Sequence, residues 1–365
     1  MIILGATFLS VLQWIGYVIV ALLCLMFMIC VHEAGHYAAG KIFKFNILEF
    51  SIGFGPKLFQ KKNEKTGELF SIRAIPLGGY CQFAGEDDEG EKVDDFNSKP
   101  IWQRIIVLFA GAFMNLVSAV VIISIFFMAW GDYLPRVVKV YDYVDSSYEQ
   151  VLQEGDLIYK VNGKNCYSLV DASKVTSYIK SSGENIELTI IRNGEEIELT
   201  VQKHDYSGEY VDDEGNVTEV SGNGLGISTG YEKVKMSFFR AIGHAFEFTY
   251  DVIALIFKTF GKLFTGSIKI SESMGGTITA IESLSILAQS GFAAIMYGVC
   301  VLSASIGVMN LLPFPALDGC RILVCIIEAI IRKPINRKVE GIVNFVGLII
   351  LFGFAILCDI LHFFG

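Results

Sequence analysis

Residues 8–36 read FLSVLQWIGYVIVALLCLMFMICVHEAGH, an apolar stretch that ends in the motif HEAGH. No Asp, Glu, Lys or Arg precedes Glu33 anywhere in the chain. A helix rises about 1.5 Å per residue, so this stretch is long enough to cross a hydrocarbon layer of about 30 Å. We therefore predict a first transmembrane helix, with HEAGH just inside one boundary of the membrane.

The HEAGH motif offers the side chains of a metal site. His32 and His36 are four residues apart, so they lie on one face of a helix, where their imidazoles can share a zinc ion. Glu33 can take a proton from water that the zinc activates. The alternative is a pair of histidines satisfied by helix neighbours, but two His and one Glu are costly in lipid without a function. The motif predicts a zinc hydrolase site at membrane depth.

The composition is that of an integral membrane protein. Of the 365 residues 53% are hydrophobic and 18% are charged, against about a quarter charged in soluble domains, and the mean hydropathy is +0.51. Three further stretches, about 105–130, 284–317 and 341–358, are long enough to span. In the second of the four spans, Asn115 is an amide in lipid that we expect to bond another helix rather than the substrate. The net charge of −9 argues against nucleic acid as a partner.

Basic residues predict the orientation of the spans. Lys and Arg are frequent in two short segments, 41–104 and 321–340, and such loops stay in the cytoplasm. With four spans, the N-terminus, the middle of the chain and the C-terminus then lie outside. HEAGH faces the cytosolic side.

A β-hairpin is predicted between the first two spans. Residues 69–83, LFSIRAIPLGGYCQF, alternate like a strand and are too short and too rich in Gly for a spanning helix. Two interpretations stay open. The hairpin dips toward the active site and offers its edge to an unwound substrate, or it is an ordinary cytosolic hairpin.

The middle of the chain predicts a soluble α+β domain outside the membrane. Strands are expected at residues 137–141, 157–161, 186–191 and 197–201, and a helix at residues 169–179. The run EGDLIYKVNGKN, residues 154–165, looks like the core of a PDZ domain, a module that binds extended peptides beside one strand. A domain that only blocks access is the alternative. Residues 236–264 read as an amphipathic helix on the outer membrane surface.

Zinc needs a third protein ligand and one open position for water. The segment NLLPFPALDGCR, residues 310–321, offers Asp318 at the same side of the membrane as HEAGH, after Pro313 and Pro315 break the span. Asp318 could instead cap a helix end or pair with Arg321. We favour ligation, because a site with two histidines still lacks a carboxylate.

Several motifs occur together in one order along the chain. They are HEAGH, GFGP at residues 53–56, IPLGGY at 75–80, FNSKP at 96–100, the PDZ-like core and NLLPFPALDG at 310–319. In this the chain resembles the site-2 protease family of intramembrane zinc metalloproteases, and its bacterial RseP-type branch with an external PDZ domain. One departure is Cys320, where the family usually has a second Gly in LDGGR.

The resemblance implies roles for individual residues. His32, His36 and Asp318 would bind Zn²⁺, and Glu33 would be the catalytic base. Residues that would contact or guide the substrate are Leu77, Gly78, Gly79, Tyr80 and Asn310.

The predicted fold class is a polytopic α-helical membrane protein with four transmembrane helices and the zinc site between the first and third. It carries a membrane-dipping β-hairpin and one inserted extracytoplasmic PDZ-like α+β domain. The expected segments are residues 1–40 (first span), 41–104 (hairpin region), 105–131 (second span), 136–204 (PDZ-like domain), 205–283 (linker and surface helix), 284–320 (third span with LDG), 321–340 (cytosolic loop) and 341–362 (fourth span).

The expected function is intramembrane cleavage by a zinc endopeptidase of the bacterial cytoplasmic membrane. Its expected partners are membrane lipid and single-pass membrane proteins, either anti-sigma-factor-like regulators or signal-peptide remnants, whose transmembrane segments it cuts in regulated proteolysis. A zinc transporter or sensor and an inactive scaffold are the competing classes. Glu33 beside His32 favours the protease over both.

Overall fold

The computed structural model describes residues 8–86, 94–167, 169–211, 217–268 and 275–364. The chain divides into two compact units. The first comprises residues 1–124 and 242–365, and the second comprises residues 125–241.

Within the described residues, four helices are long and apolar enough to cross a membrane, as predicted. They are α1 (Phe8–Ile42), α2 (Ile101–Ala129), α6 (Phe292–Asn310) and α8 (Arg337–Phe364). The single turn Phe96–Ser98 precedes α2. Most of the large side chains that line α1 and α8 are apolar and exposed, which is the surface that lipid would cover.

The structure corrects the limits of the third span. Residues 284–320 do not form one helix: α5 (Thr277–Gln289) ends before Gly291, where φ is 107°, and α6 ends at Asn310. Asp318 then begins α7 (Asp318–Ile331), which occupies much of the predicted loop 321–340. Each break is short and lies between apolar runs, so hydropathy averaged over a long window merges the pieces.

The hairpin between α1 and α2 is longer and more folded than a simple pair of strands. It consists of β1 (Ile47–Lys62) and β2 (Leu69–Phe83), and both strands bend back on themselves. Residues 47–52 pair with residues 79–83 on one side and with residues 69–72 on the other, and residues 57–62 pair with residues 69–73. Residues 79–83 form an outer edge, because no described strand pairs beyond them.

A core of buried side chains fixes the hairpin to the helices of the first unit. Phe45, Ile47 and Phe83 pack with Val107 and Leu108 of α2. Apolar burial of this kind is the main source of stability, so the hairpin is held in one place against α1 and α2.

The elements of the second unit are β3 (Asp132–Val140), β4 (Asp142–Tyr143), β5 (Leu157–Val161), β6 (Lys164–Asn165), α3 (Lys174–Ser181), β7 (Asn185–Arg192), β8 (Glu195–Gln202), β9 (His204–Val211), β10 (Val217–Gly224) and β11 (Ile227–Val234). The unit is built around a β-sheet with the strand order β11-β3-β5-β7-β8, and β6 pairs with β5. Its core includes Ile158, Val161, Ile186 and Leu188 from the strands and Val175 from helix α3. The predicted α+β character is present, whereas the PDZ assignment stays a prediction.

The structure also corrects the predicted linker over residues 205–283. Strand β11 pairs with β3 from Ile227 to Val234, so the sheet domain extends well beyond residue 204. Strands β9 and β10 form an antiparallel pair of their own, joined to β4. This segment is rich in Gly and polar residues, so its hydropathy does not indicate strands. Helix α4 (Phe238–Phe264) follows, where an amphipathic helix was predicted.

Candidate metal centre

Helix α1 carries two histidines one turn apart, and the loop after α6 brings an aspartate to them. His32 and His36 are each 7% exposed. The two Nε2 atoms are 3.2 Å apart, and Asp318 Oδ2 is 3.1 Å from that of His32 and 3.2 Å from that of His36. The structure thus brings together the three residues predicted as metal ligands, and they form a metal-compatible cluster among the described residues.

The triangle has the dimensions of three corners of a zinc site. Ligand atoms about 2.0–2.1 Å from a tetrahedral ion lie about 3.3 Å from each other, close to the three distances here. Asp318 Oδ2 is buried, and no donor reaches it with hydrogen-bond geometry. A buried carboxylate oxygen without a partner is costly, and a cation at the centre of the triangle removes that cost. These residues therefore fit a zinc ion.

Polar contacts with α2 orient the two imidazoles. His36 Nδ1 lies 2.8 Å from the carbonyl oxygen of Val107, to which it donates. Nδ1 therefore carries the ring proton, and the lone pair of Nε2 faces Asp318.

Asn115 lies beside the other imidazole. Its Nδ2 is 3.4 Å from His32 Nδ1, and its Oδ1 is buried without a partner. If Nε2 of His32 binds metal, Nδ1 carries a proton, and a half-turn of the amide lets Oδ1 accept it. The contact between helices that we expected of Asn115 is present, but its closeness to a ligand was not visible in the sequence.

Two glycines allow α1 and α2 to approach at the site. A methyl group at Gly35 would lie 2.2 Å from the carbonyl oxygen of Ala110. A methyl group at Gly111 would lie 2.3 Å from His36 Nε2. Both distances are shorter than van der Waals contact, so larger residues at either position would displace the histidines.

The Asp318 carboxylate contacts the two histidines and does not form an ion pair with Arg321. Arg321 pairs with Glu86 instead, and the first turn of α7 places Asp318 toward the histidines. Gly319 follows at a point where a methyl group would lie 2.3 Å from the carbonyl oxygen of Leu311. The close approach of the start of α7 to the end of α6 therefore requires a glycine at position 319.

Strand β2 passes directly over the catalytic glutamate predicted in HEAGH. A methyl group at Gly79 would lie 3.4 Å from Glu33 Cγ and 2.8 Å from the carbonyl oxygen of Ser51. The backbone of Cys81, two residues further along the strand, lies close to the Glu33 carboxylate. The outer edge of the hairpin, residues 79–83, is therefore adjacent to Glu33.

The remaining predicted contact residues have different surroundings. The Tyr80 hydroxyl accepts a hydrogen bond from Arg73 Nη2 at 2.6 Å, and Gly78 lies against the ring of Phe54. Asn310 Nδ2 donates to the carbonyl oxygen of Ile306 in its own helix. The side chain of Leu77 lies outside the described part of the structure. Substrate contact by these residues stays a prediction.

A polar network stabilises the bend of the hairpin. Burial raises the pKa of Glu49, but hydrogen bonds from Ser71, Arg73 and Tyr80 outweigh it and hold that pKa below its ordinary value. Arg73 Nη2 lies 2.9 Å from Glu49 Oε1, and Arg73 Nε donates to Ser51 Oγ. In the sequence, Arg73 is only one of the basic residues of segment 41–104, and nothing there indicates this network.

Four apolar helices and a buried His-His-Asp cluster next to a helical glutamate define an integral membrane protein with a hydrolytic type of metal site. Over residues 20–354 the sequence matches peptidase family M50, the site-2 protease family. The chain therefore belongs to that family.

The descriptions of similar bacterial proteins agree with this family assignment. A protein of Fusobacterium nucleatum, described as a candidate zinc metalloprotease, is 33% identical over 94% of this chain and 97% of its own length. One of Clostridium perfringens with the same description is 33% identical over the same shares. The regulator of sigma-W protease RasP of Bacillus subtilis is 27% identical over 88% of this chain and 92% of its own length. The predicted enzyme class and cofactor are thus confirmed: the protein is a zinc metalloprotease, and its family acts by intramembrane proteolysis.

Proposed function

We propose that His32, His36 and Asp318 hold the zinc ion and that Glu33 is the base of a reaction that cuts transmembrane segments of single-pass proteins. The observation that carries this proposal is the triangle of ligand atoms, with sides of 3.1 to 3.2 Å, buried beside Glu33 and a free strand edge. Family membership supports the class of reaction.

Different residues of the chain have different roles in the proposed peptide hydrolysis. Held by His32, His36 and Asp318, a zinc ion would supply Lewis acidity to the scissile carbonyl and to the attacking water. Glu33 takes the proton from the attacking water and delivers it to the leaving amine nitrogen. The contacts of Val107 and Asn115 keep the two imidazoles in the orientation that this requires.

The substrate must present an extended backbone, since a helix hides its carbonyl groups in internal hydrogen bonds. The edge formed by residues 79–83 can pair with such a segment by main-chain hydrogen bonds. Leu77, Gly78, Gly79 and Tyr80 would then flank the substrate, and Asn310 would contact it from the end of α6. Exposed apolar side chains on the hairpin, such as Phe54, Leu58 and Phe59, support the idea that it enters the membrane.

The proposed setting is the bacterial cytoplasmic membrane, with the PDZ-like domain outside and the active site toward the cytosol. The positions of Lys and Arg support this orientation. The name of the Bacillus subtilis relative, a regulator of sigma-W protease, supports regulators of the anti-sigma-factor type as substrates, and signal-peptide remnants fit the same chemistry. The PDZ-like domain would admit substrates whose exterior part has been shortened.

Two variants test the assignment of roles in one experiment. Glu33→Gln should bind one zinc per chain and fail to cut a model transmembrane substrate, because the amide cannot accept the proton. Asp318→Asn should lose zinc at concentrations that saturate the wild type, because a neutral amide is a poorer ligand. Zinc content by mass spectrometry and cleavage in detergent are the measurements.

The outcomes separate the parts of the proposal. Cleavage by Glu33→Gln would remove Glu33 from the mechanism, and normal zinc content in Asp318→Asn would place the third ligand elsewhere. A chelator should stop cleavage by the wild type, and added zinc should restore it. Cysteine 320 serves as the control: Cys320→Ser should retain both zinc and activity, since its thiol is not in the ligand cluster.

A further inference from the structure

A cavity away from the metal centre lies in the first unit, where α2 and α8 begin and α7 ends. Its volume is about 520 Å³, and its lining includes Asn97, Arg104, Glu328, Arg332, Lys333 and Arg337. None of these residues belongs to the metal centre, and nothing in the proposed reaction uses them. The cavity therefore needs an explanation of its own.

The charge of the lining is strongly positive. Four of the lining residues are cationic and one, Glu328, is anionic. Arg104 Nη2 lies 2.7 Å from Glu328 Oε2, and Arg337 Nη2 lies 2.5 Å from Glu328 Oε1. Glu340, outside the lining, pairs with Arg337 Nη1 at 2.7 Å. Counting both acids, the group keeps a net charge of about +2.

Two of the cations have no partner to compensate them. Arg332 and Lys333 are exposed, and neither forms an ion pair within the described residues. In addition, the Nε atoms of Arg104 and Arg337 are buried without an acceptor. The side chains of Arg104 and Arg337 are only 5% and 8% exposed. Two buried arginines and two unpaired exposed cations around one cavity repel one another, so an anion in the cavity would stabilise them.

The turn that presents the free cations is held in place. Ile335 N–H donates to Glu328 Oε1 at 2.9 Å, and Arg332 N–H donates to the Glu328 carbonyl oxygen at 2.8 Å. Arg332 itself ends α7 with φ of 55°. Because Glu328 fixes both ends of this turn, the cavity exists before any ligand arrives, which lowers the entropy cost of binding.

The position of the cavity relative to the predicted spans indicates where the anion comes from. It lies at the first residues of two predicted spans, α2 and α8, where phospholipid head groups meet protein. Ile101 and Ala329 add apolar surface beside the cations. Basic pockets between transmembrane helices are suited to acidic head groups.

We propose that this cavity binds a phosphate group, carried either by the head group of an acidic phospholipid or by a free phosphate ester. Arg332 and Lys333 contact the phosphate directly, and Arg104 and Arg337 supply the positive field behind them. A phosphate bound in the cavity would link the start of α2, the end of α7 and the start of α8.

The test uses the full-length, zinc-loaded protein in a neutral detergent. Thermal unfolding is followed while phosphatidylglycerol, phosphatidylcholine or inorganic phosphate is added at constant ionic strength, and bound lipid is counted by native mass spectrometry. Arg332→Gln with Lys333→Gln removes the two free cations. Lys164→Gln with Lys180→Gln, two exposed residues of the second unit, is a control with the same change in net charge.

Phosphatidylglycerol should raise the unfolding midpoint of the wild type and of the control, and phosphatidylcholine should not. The Arg332 and Lys333 variant should bind phosphatidylglycerol about 30-fold more weakly. Stabilisation by inorganic phosphate at similar strength would assign a free phosphate, and stabilisation by the lipid alone would assign the head group. Equal effects of the two lipids, or equal loss of binding in both double variants, would overturn the proposal.

Discussion

Gly111 shows how one residue on α2 sets the space available to the metal centre. A methyl group there would lie 2.3 Å from His36 Nε2 and 2.9 Å from His32 Cε1. Gly111→Ala should therefore weaken zinc binding at least tenfold and abolish cleavage, because the imidazoles must move out of the triangle. A competitive zinc titration with a chromophoric chelator measures the effect.

Gly353→Ala is the matched control for that change. Nothing lies within 4 Å of a methyl group at this position in α8. Zinc affinity should stay at the wild-type value there, and helix propensity should make the variant slightly more stable. Unaltered zinc affinity in Gly111→Ala would mean that the two histidines do not share an ion in this arrangement.

Asn115 is the residue through which α2 acts on His32. Asn115→Leu removes the amide whose oxygen can accept the Nδ1 proton, and the loss of such an outer partner typically costs 10- to 100-fold in metal affinity. The zinc concentration for half-maximal cleavage should rise by that factor. Ser118→Ala, which removes a hydroxyl bonded to the Asn115 carbonyl oxygen, should leave the affinity near normal. The idea fails if the two variants behave alike.

The predictability of the site differs from residue to residue. His32, His36, Glu33 and Asp318 stand out in the sequence because acids and imidazoles are costly in lipid unless they have a function. The effects of Gly111 and Asn115 on the histidines cannot be predicted from the sequence, because they depend on which face of α2 packs against α1. That choice is made by packing between distant parts of the chain, and no local pattern encodes it.

At the scale of elements, one carboxylate from α8 fixes the start of α5. Asp359 is 5% exposed, and it accepts hydrogen bonds from the N–H groups of Gly276, Ile278 and Thr279 and from the Thr279 hydroxyl. The first N–H groups of a helix have no partner inside the helix, so Asp359 acts as a cap supplied by a remote helix.

Asp359→Ala should destabilise the protein by about 2 kcal/mol or more, because several buried N–H groups lose a charged acceptor together. Thr279→Val removes only one of the donors and should cost about 1 kcal/mol. Thermal unfolding in detergent provides the comparison. A loss for Thr279→Val as large as that for Asp359→Ala would contradict the capping role.

The limits of the elements show what hydropathy can and cannot predict. The four spans follow from long apolar runs and agree with α1, α2, α6 and α8. The break at Gly291 is too short to interrupt the apolar signal, and Pro313 and Pro315 predict a break before Asp318 without showing that a new helix, α7, begins there. Strand β11 is not predicted from the sequence, because its own composition is not typical of a strand. It forms by pairing with β3, which lies about 90 residues earlier in sequence.

At the scale of the whole molecule, the proposed orientation can be tested by tags in two exposed turns. A tag inserted between Asn193 and Gly194 should be cut by protease added to intact spheroplasts, because that turn belongs to the domain expected outside. A tag inserted after Lys65, in the hairpin turn, should be cut only after lysis. Retained cleavage of substrate shows that each insertion folds, and the reverse pattern of digestion would invert the proposed orientation.

The three side chains of the triangle come from distant parts of the sequence. The histidines of α1 are synthesised before α2 and α6, whereas Asp318 is synthesised after them. The proposed centre is therefore incomplete until α6 has been made, and a nascent chain cannot hold zinc with all three ligands before that point.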